Sequence, residues 1–278
     1  MKKTIAALAA AAAMSIAAPA FAADLPMKAA PYVPPPVWTW TGFYVGGFVG
    51  AGWGETESAI TSINISPPPT TVFAGNLPFN QNSRSGFLGG GQAGYNWQTG
   101  LIVLGVEADI AGLDVKGTDP CALISALTCT TRSNWLATVS GRVGAVILDR
   151  GLIYVKGGGA WLNSDHSVNL PTITTPPGFP FSGASLTSAS STTTGWLLGF
   201  GTEWMITRNW TAFIEYDYMD FRDNFGGNNG NNVHFTINPA LTTPFAVSAN
   251  ANIKQTLSVA KVGVNYKFDW GGGVVAKY

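Results

Sequence analysis

The sequence predicts an all-β fold: a transmembrane, antiparallel, up-and-down β-barrel of eight strands, with long external loops and short periplasmic turns. Three observations carry this reading. Apolar and polar residues alternate in segments of about a dozen residues; past the N-terminal leader no apolar run approaches the ~20 residues a membrane helix needs; and tight and long connections alternate strictly along the chain.

The N-terminus sets the compartment. Met1-Lys2-Lys3 precedes an apolar, alanine-rich run from Ile5 to Ala18 and the small-x-small pattern Ala20-Phe21-Ala22, so residues 1–22 read as a secretory signal peptide and the mature chain starts near Ala23. Residues 23–41 form a Pro-rich periplasmic lead whose PYVPPP stretch (31–36) predicts an extended spacer, and 42–278 form the barrel domain. The chain holds 34 Gly, 10 Trp and 15 Phe, with 11% charged residues and zero net charge. A soluble domain usually carries ~25% charged residues. No basic patch offers a surface for nucleic acid.

Each strand follows from period-two patterning. Residues 42–53 (GFYVGGFVGAGW) open the barrel and are almost free of polar groups. In 84–97, Phe87, Ala93, Tyr95 and Trp97 oppose Arg84, Gln92 and Asn96; in 101–113, Ile102, Leu104, Val106, Ala108 and Ile110 oppose Glu107 and Asp109. In 134–148, Trp135, Ala137, Val139, Val143 and Ile147 oppose Asn134, Thr138, Ser140 and Arg142; in 152–162, Ile153, Val155 and Trp161 oppose Lys156. In 193–206, Trp196, Leu198, Phe200, Trp204 and Ile206 oppose Glu203, and in 253–268, Val262, Val264, Tyr266 and Phe268 oppose Lys261, Asn265 and Lys267. The seventh strand, 210–221 (WTAFIEYDYMDF), sets Glu215 and Asp217 on one face and Ile214, Tyr216 and Tyr218 on the other. Leu88, Leu136 and Phe213 break the rule by falling on the polar side.

Turns at 98–100, 149–151 and 207–209 are tight, whereas 54–83, 114–131, 163–192 and 222–252 are long and rich in Ser, Thr, Asn, Gly and Pro. A barrel with periplasmic turns at one end and external loops at the other has this arrangement. Unpaired backbone groups are not tolerated in hydrocarbon, so the sheet must close. The apolar face then meets lipid, with Trp and Tyr near strand ends as interfacial girdles, and the acids face a polar interior.

The segments WTGFYVGG (40–47), GVEADI (105–110), GRVGAV through YVKGGGAW (141–161), GWLLGFGTEW followed by ITRNWTAFIEYDYMDF (195–221), and VGVNYKF (262–268) resemble the small alphaproteobacterial outer-membrane immunogenic proteins, a porin-like branch of the OmpA-like eight-strand barrels. The resemblance spans essentially the mature chain and implies a surface protein in the outer membrane of a Gram-negative bacterium, with no established reaction. Its expected partners are outer-membrane lipid, the barrel-assembly machinery and any surface partner met through the loops. Val264, Tyr266 and Phe268 complete a terminal pattern of the sort that machinery reads, yet ten residues follow and end in Tyr278, a second candidate signal.

The lumen is the candidate site. An eight-strand barrel is only wide enough for side chains to fill, and the inward set of Arg84, Arg142, Lys156 and Lys261 against Glu107, Asp109, Glu203, Glu215 and Asp217, four to five, suits a paired network that closes it. The alternative is a narrow porin-like channel for ions or small solutes, with the same charges lining a water path. Cys121 and Cys129, both in the second long loop of an exported chain, predict a disulfide worth about 2.5 kcal/mol by loop closure. Zinc would need two more ligands nearby. No enzyme is expected: His166, in NSDHS, points away from its strand neighbours Asp165 and Ser167, and both it and His234 read as solvated loop residues. GGGQAG (89–94) fits G-x-G-x-x-G but runs along a strand with no helix after it, so its glycines read as close-packing residues, and no cofactor or metal is expected.

Overall fold

The computed structural model describes residues 38–66, 70–120, 128–169, 185–221, 232–237 and 246–268. The signal peptide, the lead as far as Val37, Cys121 and Tyr278 lie outside these described residues. The strands are β1 (Gly42–Ser66), β2 (Thr70–Thr99), β3 (Ile102–Pro120), β4 (Thr128–Ile147), β5 (Gly151–Asn169), β6 (Ser185–Met205), β7 (Trp210–Asp220), β8 (Asn232–Ile237) and β9 (Ala246–Lys267).

Every neighbouring pair is antiparallel, and β9 pairs back onto β1 from Tyr44↔Lys267 to Ser66↔Ala246, which closes the sheet. β7 and β8 occupy one position in the ring: β7 pairs with β9 between Thr256 and Tyr266, and β8 with β9 between Val247 and Asn252. The ring is therefore eight strands around, as the patterning predicts. The turns at one end are tight; the one at 148–150 holds Leu148 and Asp149 at positive φ, 48° and 62°.

The connections at the other end differ from expectation. Most of their length continues as ladder, from Glu57↔Gln81 up to Ile65↔Thr70, from Lys116↔Arg132 up to Pro120↔Thr128, and from Asp165↔Ser190 up to Asn169↔Ser185. The physical reason is that these segments rise above the hydrocarbon, where the outward face no longer has to be apolar. Polar pairs such as Thr118 with Thr130 (Oγ1 to Oγ1, 3.2 Å), and Asn250 Nδ2 donating to Ser62 Oγ (2.8 Å), take the place of apolar cross-strand neighbours. Apolar alternation marked only the part of each strand that meets lipid.

That part is a continuous outer band. Phe43, Val45, Val49 and Trp53 on β1, Val106 and Ile110 on β3, Val139 and Val143 on β4, and Phe200 and Ile214 on β6 and β7 all point outward and are exposed; Phe87 is 78% exposed. From Phe43 to Trp53 the band is as tall as the ~9–11 residues a tilted spanning strand supplies. Aromatic pairs edge it. Trp196 packs on Tyr218 (5.6 Å between centroids) and Trp53 on Tyr216 (6.1 Å) toward the upper rim; Trp210 packs on Tyr266 (5.2 Å) and Phe43 on Phe268 (5.7 Å) at the lower.

The interior is layered. At the turn end, Trp40, Val103, Leu152, Tyr154 and Met205 pack as a floor. Above them stands a layer of buried charges, described below. Next comes a second apolar layer that includes Phe48, Leu88, Leu113, Leu136, Met219, Phe221 and Leu257. Leu88 and Leu136 thus point inward because they belong to a septum across the lumen, and Phe213 joins the same cluster. Above the septum, Thr56, Asn82, Arg84, Ser133, Ser164, His166 and Gln255 form a buried polar layer.

Candidate functional site: the barrel lumen

Eight of the nine expected lumen charges come together. Lys156 on β5 places Nζ 3.1 Å from Glu107, 3.2 Å from Asp109, 2.6 Å from Glu215 and 3.5 Å from Asp217. Lys261 on β9 repeats the pattern at 3.1 Å from Asp109, 2.7 Å from Glu215 and 3.4 Å from Asp217. Arg142 on β4 bridges Glu107 (3.4 Å) and Glu203 (3.3 Å), and its guanidinium lies between the Tyr44 and Tyr154 rings, 4.8 and 5.1 Å from their centroids. All eight are buried, so water does not screen the pairs.

Arg84 is not among them. It lies beyond the septum, where its Nη1 donates to Ser133 Oγ (2.9 Å) and Gln255 Oε1 (2.5 Å), and its Nη2 to the Thr256 carbonyl (3.3 Å). Three cations therefore face five carboxylates, and the expected near balance gives way to an excess of acid. Neutral donors take up that excess. Tyr44 and Tyr154 each place Oη 2.6 Å from a carboxylate, of Glu107 and Glu215 respectively. Glu203 accepts from Thr211 (2.5 Å) and Asn265 (2.7 Å), and Asp109 from Thr138 (2.9 Å). Hydrogen bonds of this kind favour the ionised carboxylate as a cation does.

One oxygen from each of Glu107, Asp109 and Glu215 lies within 4.8 Å of the other two, a spacing that a metal ion could use. Lys156 Nζ already contacts all three residues, at 3.1, 3.2 and 2.6 Å, so an ammonium holds the place of a metal. Between this network and the septum, a void of about 10 Å³ lined by Phe48, Leu88, Asp109, Leu136, Met219 and Lys261 has room for roughly one water.

Tyr44 and Tyr154 are lumen residues that the search for inward charges does not pick out. The signal for Tyr154 is its parity, since it shares a face with Lys156. His166 departs from expectation too. It lies on β5 rather than in a loop, points inward, is buried, and contacts Thr131 Oγ1 through Nδ1 at 3.2 Å. His234 lies on β8, also in a strand. Cys129 is buried on β4, and no described cysteine is free; its expected partner Cys121 lies outside the described residues. Val264, Tyr266 and Phe268 end β9 at the lower rim, where Tyr266 and Phe268 stack edge to face at 5.1 Å.

A closed barrel with a lipid-facing outer band agrees with the family that the chain matches. The outer membrane protein beta-barrel domain matches residues 6–268. The chain belongs to this family. Among curated proteins, this barrel is 32% identical over 238 residues to the 31 kDa outer-membrane immunogenic protein of Brucella melitensis, covering 84% of the chain and 86% of the relative. It is 28% identical over 187 residues to the 22 kDa outer membrane protein of Rhizobium leguminosarum, covering 67% of each. Among solved structures, OprG of Pseudomonas aeruginosa aligns over 83% of this chain and 97% of its own at 12% identity, with a TM-score of 0.40. The barrel is a protein of the Gram-negative outer membrane, and the relatives that share most of its length are named as immunogenic or outer-membrane proteins.

Proposed function

We propose that this barrel is a structural, surface-exposed protein of the outer membrane whose lumen is closed by its own side chains, with its external hairpins available as a contact and antigenic surface. The septum carries the reading. Phe48, Leu88, Leu113, Leu136, Met219, Phe221 and Leu257 are buried against one another between two polar layers, and a continuous apolar layer is a barrier to hydrated ions. The charge network and the Trp40 floor stand below it as further closures. The name of the Brucella relative supports the antigenic surface. The lumen charges then stabilise rather than conduct, and none of them acts as an acid or base on a substrate. The partners are outer-membrane lipid along the band, the barrel-assembly machinery through Val264, Tyr266 and Phe268, and surface partners through the hairpins.

Planar-bilayer recording combined with thermal unfolding tests this. Wild-type protein should give small or no conductance. Arg142→Ala leaves Glu107 and Glu203 facing one another without their shared guanidinium, a loss on the order of 3–5 kcal/mol for a buried pair. It should lower the unfolding temperature in detergent clearly more than Lys116→Ala, at an exposed position on β3. Steady wild-type channels whose selectivity shifts toward cations in Arg142→Ala, at unchanged stability, would establish the narrow-channel alternative instead.

A further inference from the structure

Arg84 is a buried cation without an anion. It is 2% exposed, and no ion pair among the described residues includes it; its partners are a serine hydroxyl, a glutamine carbonyl and a main-chain carbonyl. A guanidinium keeps its charge at ambient pH, so the cation persists. An isolated buried charge is costly unless something neutralises it. The acids of the lower network cannot, because the septum lies between.

Among the buried, unpartnered polar atoms around Arg84, donors outnumber acceptors. Arg84 Nη1, Ser133 Oγ, Ser164 Oγ and Gln255 Oε1 close a ring of contacts at 2.9, 3.1, 3.3 and 2.5 Å. That ring leaves Arg84 Nε and Gln255 Nε2 without partners, and the next level up adds both Asn82 Nδ2 and Oδ1, Thr56 Oγ1 and His166 Nε2, all buried. The Thr131 Oγ1 to His166 Nδ1 contact fits either tautomer, and Nε2 is a donor in the one in which Thr131 donates. Thr56 and Asn82 are cross-strand partners, and Thr56 also pairs with Gln255, so Asn82 and Gln255 flank one level of the lumen, and His166 lies on β5, two residues beyond Ser164, which contacts Gln255. The uncompensated Arg84 cation with its free Nε, the unpaired amide donors of Asn82 and Gln255, and His166 Nε2 in one tautomer, held by β2, β9 and β5 above an apolar floor, have the chemistry of an anion site.

We propose that the upper lumen binds a small inorganic anion at Arg84, with Asn82, Gln255 and His166 as the neutral donors that complete its coordination. A halide and an oxyanion share the chemistry of a compact acceptor. The site faces the external side of the septum, so occupation does not require a path through the barrel.

The test uses the whole purified barrel in detergent at constant ionic strength. Sodium gluconate, whose anion is too bulky for the site, is replaced stepwise by chloride or by phosphate. The wild-type unfolding temperature should climb with the logarithm of one of these anions, as binding to the folded state requires, and which anion does so separates a halide site from an oxyanion site. Arg84→Gln should abolish the dependence and Arg84→Lys should keep part of it. A second readout needs no variant. Burial first and the Arg84 charge second hold the His166 imidazole down to about 4, with Asp165 opposing them weakly, so an anion that cancels the Arg84 charge should raise the His166 titration toward its ordinary value near 6.5 when followed by NMR. Equal unfolding temperatures in gluconate, chloride and phosphate, with an unmoved His166 titration, would overturn the proposal. So would an anion dependence that survives in Arg84→Gln.

Discussion

Gly94 and Gly201 show what a single residue does in this lumen. Tyr44 reaches from β1 across β2 to Glu107 on β3, and Tyr154 reaches from β5 across β6 to Glu215 on β7. The strand crossed has a glycine at the crossing: a Cβ on Gly94 would stand 2.4 Å from Tyr44 Oη, and one on Gly201 2.6 Å from Tyr154 Oη. The missing side chain is the room in which the tyrosine lies. Gly201→Ala must push Tyr154 off Glu215 or shift the Ile214 carbonyl, 2.9 Å from the same Cβ, and overpacking of this kind costs about 1–3 kcal/mol. Gly112→Ala is the control, because nothing lies within 4 Å of its Cβ. Urea unfolding in detergent should show a loss for Gly201→Ala and little change for Gly112→Ala; equal effects would mean that the interior is loosely packed. The alternation of GWLLGFGTEW contains Gly199 and Gly201 at inward parity, so the sequence shows that holes exist. Which side chain fills a hole depends on barrel shear and tilt, which no single strand encodes.

At the scale of elements, the segment 38–41 does more than lead into β1. Trp40 is 2% exposed and packs on Val103, Leu152, Tyr154 and Met205, while its backbone amide donates to Gln98 Oε1 (2.8 Å) and the Gln98 amide donates to Thr41 Oγ1 (3.0 Å). Trp38 stacks under Arg150 at 4.4 Å, and Lys267 Nζ donates to the Thr39 carbonyl. The segment thereby ties the start of β1 to the end of β2, to the turn after β4 and to the end of β9. Truncating a buried Trp costs about 3–5 kcal/mol, so Trp40→Ala should lower the unfolding temperature markedly while Trp38→Ala, at a half-buried stacked ring, lowers it less. A Trp40→Ala barrel as stable as wild type would make the floor ornamental. Reading 23–41 as a spacer missed this role because Pro-rich composition describes the chain up to Pro36, and the docking of Trp40 rests on Val103, Leu152 and Met205, distant in sequence. The same limit applies to the external hairpins. Their strands are held by polar ladders, and a search for apolar alternation stops where lipid stops.

For the whole molecule, closure is the property from which the rest follows. The eight lipid-facing segments, their order and the side on which connections are long were legible because the bilayer imposes a period, a height and a ban on unpaired backbone. Interior partners were legible only as a set of inward charges, and the placement of Arg84 apart from that set depended on Leu88 and Leu136, whose inward turn looked like an exception until the septum explained it. The seam between β1 and β9 joins residues from the two ends of the described barrel, Tyr44 with Lys267 and Val49 with Val262. Among the described residues no edge strand is left at membrane height for detergent to enter, so opening requires many ladder bonds to fail together. Unheated protein in dodecyl sulfate should therefore stay compact and migrate differently from boiled protein. Val49→Pro removes a ladder donor from the middle of β1, next to the seam, whereas Val49→Ala keeps the backbone and loses only lipid contact. The compact band should disappear at a lower temperature in Val49→Pro than in Val49→Ala, and the alanine variant should follow wild type closely. Wild-type protein that migrates identically before and after boiling would show that the sheet does not close in the membrane, and with it the interior layers would lose their walls.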